Sequence, residues 1–247
     1  MQDEELLRYS RQIMLPDMDI QGQEALAAAH AVIVGAGGLG SPAALYLAAA
    51  GVGHISLIDH DIVELTNLQR QIMHDTSALG QPKVVSGAAR LSAINPHIQV
   101  TPIQTQATEE DLASYVRDAT VVLDCTDNFT VRFAINRVCW QARVPLVSGA
   151  AIGWEGHLSV FDANQSDSPC YQCLYAEGDD AAINCAENGV IAPLVGMIGA
   201  TQATEAIKII TQVGEPLIGR VLYLDAKYME WRSLQLPRAQ HCPTCAS

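Results

Sequence analysis

The sequence predicts an α/β fold: a mostly parallel sheet with helices on both faces, extended by antiparallel strands towards the C-terminus. Two observations predict it. Short apolar runs rich in β-branched residues recur at 31–34, 54–58, 98–103, 120–124 and 144–148, and helical patterns at 41–50, 83–94, 109–117 and 130–143 lie between them. Strands that alternate with helices pair in parallel, because each crossover returns the chain to the same end of the sheet. The later runs, 157–161 and 220–224, have no helix just before them, which suits an antiparallel extension.

Taken in order, residues 1–30 read as a helical segment. The first strand, Ala31-Val32-Ile33-Val34, is apolar throughout, as a strand covered on both faces must be. Gly35-Ala36-Gly37-Gly38-Leu39-Gly40 then gives G-x-G-x-x-G, and an alanine- and leucine-rich helix continues from Ser41. The second strand ends at Asp59, nineteen residues beyond Gly40. Strand, glycine loop, helix, strand and acid in that order form the Rossmann-like unit that seats a nucleotide. Glycines let the backbone approach phosphate oxygens, the helix N-terminus offers unpaired N–H groups, and Asp59 would accept hydrogen bonds from ribose hydroxyls. Such a loop also fits a tight turn that binds nothing, and it does not identify the nucleotide.

Residues 163–169 and 175–188 are polar, turn-rich loops, the second carrying Glu177-Gly178-Asp179-Asp180. The most apolar segment, 190–203, is too short to span a bilayer and is interrupted by Pro193; it reads as the buried start of a helix running to about Gln212. The expected organisation is a single unit over 1–247, with a helical segment 1–30, a nucleotide-binding core 31–150 and a metal-stapled part 151–247.

Bulk properties narrow the function. Of 247 residues 49% are apolar and only 17% charged, which suits a packed core. A net charge of −13 argues against a nucleic-acid surface, which needs clustered Lys and Arg. The acidic start, Met1-Gln2-Asp3-Glu4-Glu5, is unlike a signal peptide, so the expectation is a cytoplasmic protein with no membrane partner. There thiols stay reduced, and the seven cysteines read as ligands, catalytic groups or core residues.

Three constellations carry chemistry. Cys170-Tyr171-Gln172-Cys173 and Cys242-Pro243-Thr244-Cys245 each place two thiolates on one turn, half of a four-cysteine zinc site that would staple the tail to the domain. The alternative is a thioredoxin-like redox pair, against which neither C-x-x-C is expected to open a helix after a strand. Second, Asn67-Leu68-Gln69-Arg70-Gln71 and Lys83 follow the ribose acid. Arg70 can fork to two phosphate oxygens, Lys83 supplies a point charge, and Asn67 and Gln69 add neutral donors; the alternative is a solvated loop. Third, the strand Val121-Val122-Leu123-Asp124 runs into Cys125-Thr126-Asp127-Asn128 at a carboxyl end, where open parallel sheets bind ligands. A carboxylate there can hold Mg2+ beside a triphosphate, and Asp127 is the favoured ligand. Asp127 or Asn128 could instead cap the next helix, and Asp124 equally fits a hydrogen-bonded core acid. Cys125 and Cys139 read as core residues.

Arg8-Tyr9-Ser10-Arg11-Gln12, the glycine loop, Asn67-Leu68-Gln69-Arg70-Gln71, Asp124-Cys125-Thr126-Asp127-Asn128 and the two C-x-x-C pairs occur in this order in the MoeB/ThiF enzymes, bacterial relatives of the ubiquitin-activating enzymes. The chain resembles that family along essentially its whole length. The resemblance implies adenylation, with Mg·ATP, of the C-terminal glycine of a ubiquitin-like sulfur carrier (MoaD- or ThiS-like), releasing pyrophosphate, for molybdopterin or thiamin-thiazole biosynthesis. It further implies that Gly38 lies in the ATP loop, Asp59 holds the ribose, Asn67, Arg70 and Lys83 contact phosphates, and Asp127 binds Mg2+. Arg11 would reach the partner subunit's ATP site, which makes the protein a homodimer, and residues 151–247 would include the carrier-binding part. Cys185 has two readings, a covalent link to the carrier or an unused thiol. The chain ends two residues after Cys245, without an appended sulfurtransferase domain, so a separate sulfur donor is expected. Motifs of both branches are present, and the pathway stays open. Two other functions compete: a nicotinamide-dependent oxidoreductase, suggested by the glycine loop alone, and a non-catalytic zinc-stapled module that binds a carrier.

Overall fold

The computed structural model describes residues 1–175 and 189–246. Helices α1 (Asp3–Arg8), α2 (Ser10–Ile13) and α3 (Asp19–Ala28) lead into β1 (His30–Val34), α4 (Gly40–Ala50) and β2 (His54–Ile58). Then come α5 (Lys83–Ile94), β3 (Gln99–Ile103), α6 (Glu109–Val116), β4 (Val121–Asp124), α7 (Phe129–Ala142) and β5 (Leu146–Ile152). The chain closes with β6 (Glu155–Phe161), α8 (Tyr171–Leu174), α9 (Ala192–Thr211), β7 (Arg220–Asp225) and β8 (Glu230–Gln235).

The eight strands form one sheet in the order β3-β2-β1-β4-β5-β6-β7-β8. β1 to β5 are parallel, and β5 to β8 pair antiparallel. The predicted fold class is therefore the one observed. From β1 the chain builds outwards to β2 and β3, then returns to place β4 on the other side. Strand order thus reverses at β1, which opens a crevice beyond the carboxyl ends of β1 and β4.

The apolar run of β1 serves both faces. Ala31 and Ile33 join the cluster that holds Leu47 of α4 and Ile198 of α9, whereas Val32 and Val34 pack with Phe133 and Ile135 of α7. Each fully buried Leu or Ile of this kind contributes roughly 1.5–3 kcal/mol.

Some boundaries differ from expectation. β5 extends to Ile152 because Gly149, Ala150 and Ala151 pair with β6 in a hairpin that turns at Gly153, at φ +56°. β8 was not predicted: all six of its residues are exposed, and its backbone pairing to β7 leaves no apolar pattern to read. The first C-x-x-C pair does open a helix, contrary to expectation. Cys170 stands at the N-cap position of the single turn α8 without a side-chain capping bond, and the start of the turn is held by Tyr171 N–H donating to Asn136 Oδ1 at 2.8 Å. The apolar segment after Gly189 starts α9 with Pro193 in its first turn, and Gln212, left-handed at φ +58°, ends it. No described helix is long and apolar enough to cross a membrane.

Helix α9 forms the floor of the glycine loop. A Cβ on Gly199 would lie 2.3 Å from the Leu39 carbonyl oxygen, so only glycine permits this approach. Val195, one turn earlier, lies beneath Gly38.

Candidate active site

The glycine loop joins β1 to α4 under two constraints. Gly35 adopts φ +98°, and a Cβ there would meet the Cys125 carbonyl at 2.6 Å; at Gly40 it would meet the Gly35 carbonyl at 1.9 Å. The loop is fixed from three directions. Gly35 N–H donates to Ile58 O at 2.8 Å, and Ala36 N–H donates to Asp59 Oδ2 at 2.7 Å. The Ala36 carbonyl accepts from His74 Nε2 at 3.0 Å, while His74 Nδ1 lies 3.0 Å from Ser86 Oγ. Burial lowers the His74 pKa and keeps the ring neutral. A carbonyl only accepts, so the proton sits on Nε2 and Ser86 donates to Nδ1. His74 was missed from sequence, because no spacing ties it to a loop 38 residues away.

The crevice is a cleft of about 460 Å3 whose walls include Gly38, Asp59, Gln69, Arg70, Lys83 and Asp127. Six of the residues named from sequence are thus brought together. Asn67 is not among them: its Oδ1 accepts from Glu64 N–H at 3.3 Å within the short turn Leu65–Asn67. Arg11 lies exposed on α2 beside a second cavity of about 400 Å3, shared with Tyr46 and Thr204. Cys185 falls outside the described residues.

Lys83 opens α5 with its side chain almost wholly buried, and Nζ meets Asp61 Oδ2 at 2.8 Å. Burial pushes the Asp61 carboxyl up, but the Lys83 hydrogen bond and charge outweigh it and hold the carboxyl below its ordinary range. The cation is therefore preformed and already paired. Arg70 is steadied by Nη1 donating to Thr66 O at 3.1 Å.

At the end of β4 the alternatives resolve. Asp124 is buried; it accepts from Thr126 Oγ1 and Ser148 Oγ, both at 2.7 Å, and faces Arg132 Nη1 at 3.5 Å. It is a hydrogen-bonded core acid. Asn128 caps α7 by accepting from Val131 N–H at 3.1 Å, so the exposed carboxylate of Asp127 is not used as the cap. Arg132, also missed from sequence, lines the cleft and donates from Nη2 to the Thr126 and Gly149 carbonyls.

The four predicted sulfurs converge although 72 residues separate Cys170 from Cys242. All four Sγ atoms lie within 4.8 Å of one another, with Cys170–Cys242 at 3.5 Å and Cys173–Cys245 at 3.3 Å. A disulfide needs about 2.05 Å. A tetrahedral metal with M–S of about 2.3 Å places sulfurs roughly 3.8 Å apart, which this cluster brackets. The cysteines therefore fit a bound metal ion rather than a redox pair. Cys125 and Cys139 are buried, and desolvation pushes both thiols well above their ordinary pKa, in keeping with core roles.

Comparison with known proteins agrees with this geometry. The chain is 47% identical over 243 residues to the molybdopterin-synthase adenylyltransferase of Escherichia coli K12, covering 98% of this chain and 97% of that protein. It is 44% identical over 245 residues to the sulfur carrier protein ThiS adenylyltransferase of the same organism, covering 99% and 97%. Among solved structures, E. coli MccB with ATP superposes with a TM-score of 0.85 at 26% identity, over 96% of this chain and 74% of that one. The ThiF family model matches residues 9–244, and the chain belongs to the ThiF family.

Proposed function

We propose that this protein adenylates the C-terminal glycine carboxylate of a ubiquitin-like sulfur carrier with Mg·ATP, releasing pyrophosphate. The observation that carries the reading is the convergence of Gly38, Asp59, Arg70, Lys83 and Asp127 on one cleft in a chain this similar to two carrier adenylyltransferases. The activities named for those relatives favour carboxylate activation over hydride transfer and over binding without turnover.

The chemistry suits the site. A carboxylate oxygen attacks the α-phosphorus, an O–P bond forms, and the P–O bond to pyrophosphate breaks. The nucleophile is ionised at neutral pH, so no general base is required. The obstacle is bringing an anion to a polyanion, which positioned cations relieve. Asp59 would fix the ribose, and the glycine loop would wrap the phosphates. Arg70 and Lys83 would draw charge towards the leaving group, Lys83 exchanging Asp61 for phosphate oxygens. Gln69 would add a neutral donor from the cleft wall, whereas Asn67 lies outside it. Asp127 would hold Mg2+, which neutralises phosphate charge when bound. Arg11 lies apart from its own cleft and would complete that of a partner subunit in a homodimer. Zn2+ is the ion that best suits four thiolates, in a closed structural site. A separate sulfur donor would then convert the adenylate to a thiocarboxylate.

The test is carrier-dependent exchange of labelled pyrophosphate into ATP, run with a MoaD-like and a ThiS-like carrier. Asp127→Ala should reduce exchange by about 100–1,000-fold, the scale of losing one preorganised electrostatic group. Exchange persisting at the wild-type rate would remove Asp127 from this role, and the better carrier identifies the pathway.

A further inference from the structure

The four-cysteine cluster leaves one buried group unexplained. Asn136, on α7, is 1% exposed. Its Oδ1 accepts from the Tyr171 backbone N–H at 2.8 Å, so Nδ2 is the free half of the amide. That Nδ2 is buried and makes no hydrogen bond among the described residues, and the bond from Oδ1 to Tyr171, the residue directly after Cys170, holds the amide beside the first ligand cysteine. Another cluster sulfur already faces a backbone donor. Cys173 Sγ accepts from Ala239 N–H at 3.4 Å. Cys170, wholly buried at the N-cap of α8, has the Asn136 amide. A thiol sulfur is a weak acceptor, whereas a metal-bound thiolate is a strong one, so the orphaned donor is explained if Cys170 is held as a thiolate.

We propose that Asn136 is a positioning residue for the metal site, donating Nδ2–H to the Cys170 thiolate and fixing that sulfur towards the ion. This rests on the metal reading of the four cysteines given above. One amide then holds both the turn carrying the ligand, through Tyr171, and the ligand atom itself. Outer donors of this kind typically affect metal affinity by about 10–100-fold.

The experiment uses the full chain. Wild-type protein is titrated with Co2+ and Zn2+ against a chelator, and the thiolate-to-Co2+ charge-transfer band is recorded. One ion per chain in a tetrahedral thiolate spectrum supports the metal reading; no binding overturns that reading and this proposal together. With binding established, Asn136→Leu, which cannot donate, and Asn136→Asp, which keeps the acceptor for Tyr171 N–H but loses the donor, should both weaken binding by about 10–100-fold and shift the band. Wild-type affinity in both variants, or in Asn136→Asp alone, would leave Asn136 holding only Tyr171 and overturn the proposal. A measurement independent of variant folding is NMR of the wild type loaded with 113Cd. A scalar coupling from the Asn136 side-chain amide to the metal, across sulfur, is expected. Its absence in a spectrum showing the Ala239 coupling would also overturn the proposal.

Discussion

Asp61 and Lys83 show what a single pair can set. The lysine is buried and its partner is about half exposed, so solvent screens one end of the pair. On the proposed reading, phosphates that reach Lys83 would displace Asp61. Asp61→Asn should therefore tighten ATP binding several-fold, with kcat little changed, and cost about 1 kcal/mol in thermal unfolding. Isothermal titration with ATP checks this, and weaker binding would show that Asp61 positions Lys83 instead of competing for it. His157 makes a second prediction. Burial, reinforced by the charge of Arg132, lowers its pKa to about 4, and the neutral ring sits 3.1 Å from Tyr175 Oη. Its ordinary value in the unfolded chain is 6.5. The unfolded chain thus binds the extra proton first, so the contribution is complete above pH 6.5 and is lost as pH falls towards 4. The loss is about 3 kcal/mol at about 1.36 kcal/mol per unit. Denaturant melts across that window should show a shallower pH dependence in His157→Gln. A residual slope is expected from His54 and His74, which burial shifts in the same direction. At this scale the residues that the sequence named and that line the cleft, such as Asp59, Lys83 and Asp127, sit in recognisable motifs. The sequence concealed His74 and Arg132, whose work is to hold backbone carbonyls, because any residue type offers a carbonyl and leaves no pattern.

Helices α7 and α9 carry most of the positional information at the element scale. From its N-cap at Asn128, α7 presents Arg132 to the Thr126 carbonyl just beyond β4 and the Gly149 carbonyl within β5, and Asn136, one turn later, to the cysteine knuckle. Helix α9 adds Gln202, fully buried, whose Nε2 donates to Asp124 O at 2.8 Å. At Gly199 its backbone comes close to Leu39 of the glycine loop. Gly199→Ala should push the loop away from α9, destabilise the fold by about 1–3 kcal/mol, and weaken ATP binding beyond the loss in stability. Thermal melts with and without ATP measure both, and an unchanged ATP-induced shift would separate the helix from the loop. Strands β1, β2 and β4 were legible because burial on two faces imposes a nearly unbroken apolar run, whereas the edge strand β3 is only partly buried. β8 was not legible, because an edge strand held by backbone pairing imposes no side-chain period.

For the whole molecule, the reversal of strand order at β1 places the cleft, and the C-terminal cysteine pair closes the chain back onto the turn after β6. Fold class, cleft and cysteine cluster were all readable from local patterns. The placement of Arg11 beside another cavity was not, since its role was implied only by resemblance. The contact between α9 and the glycine loop also bears on the order of synthesis. The nucleotide signature is complete by residue 59, but the helix beneath Gly38 begins at Ala192. A nascent chain therefore exposes a finished fingerprint long before it owns a floor for it. A fragment of residues 1–160 should remain protease-sensitive and give no ATP-induced melting shift, although it holds every residue proposed to touch the nucleotide within one chain. Translation would thus keep the loop unable to trap ATP until most of the polypeptide has emerged from the ribosome.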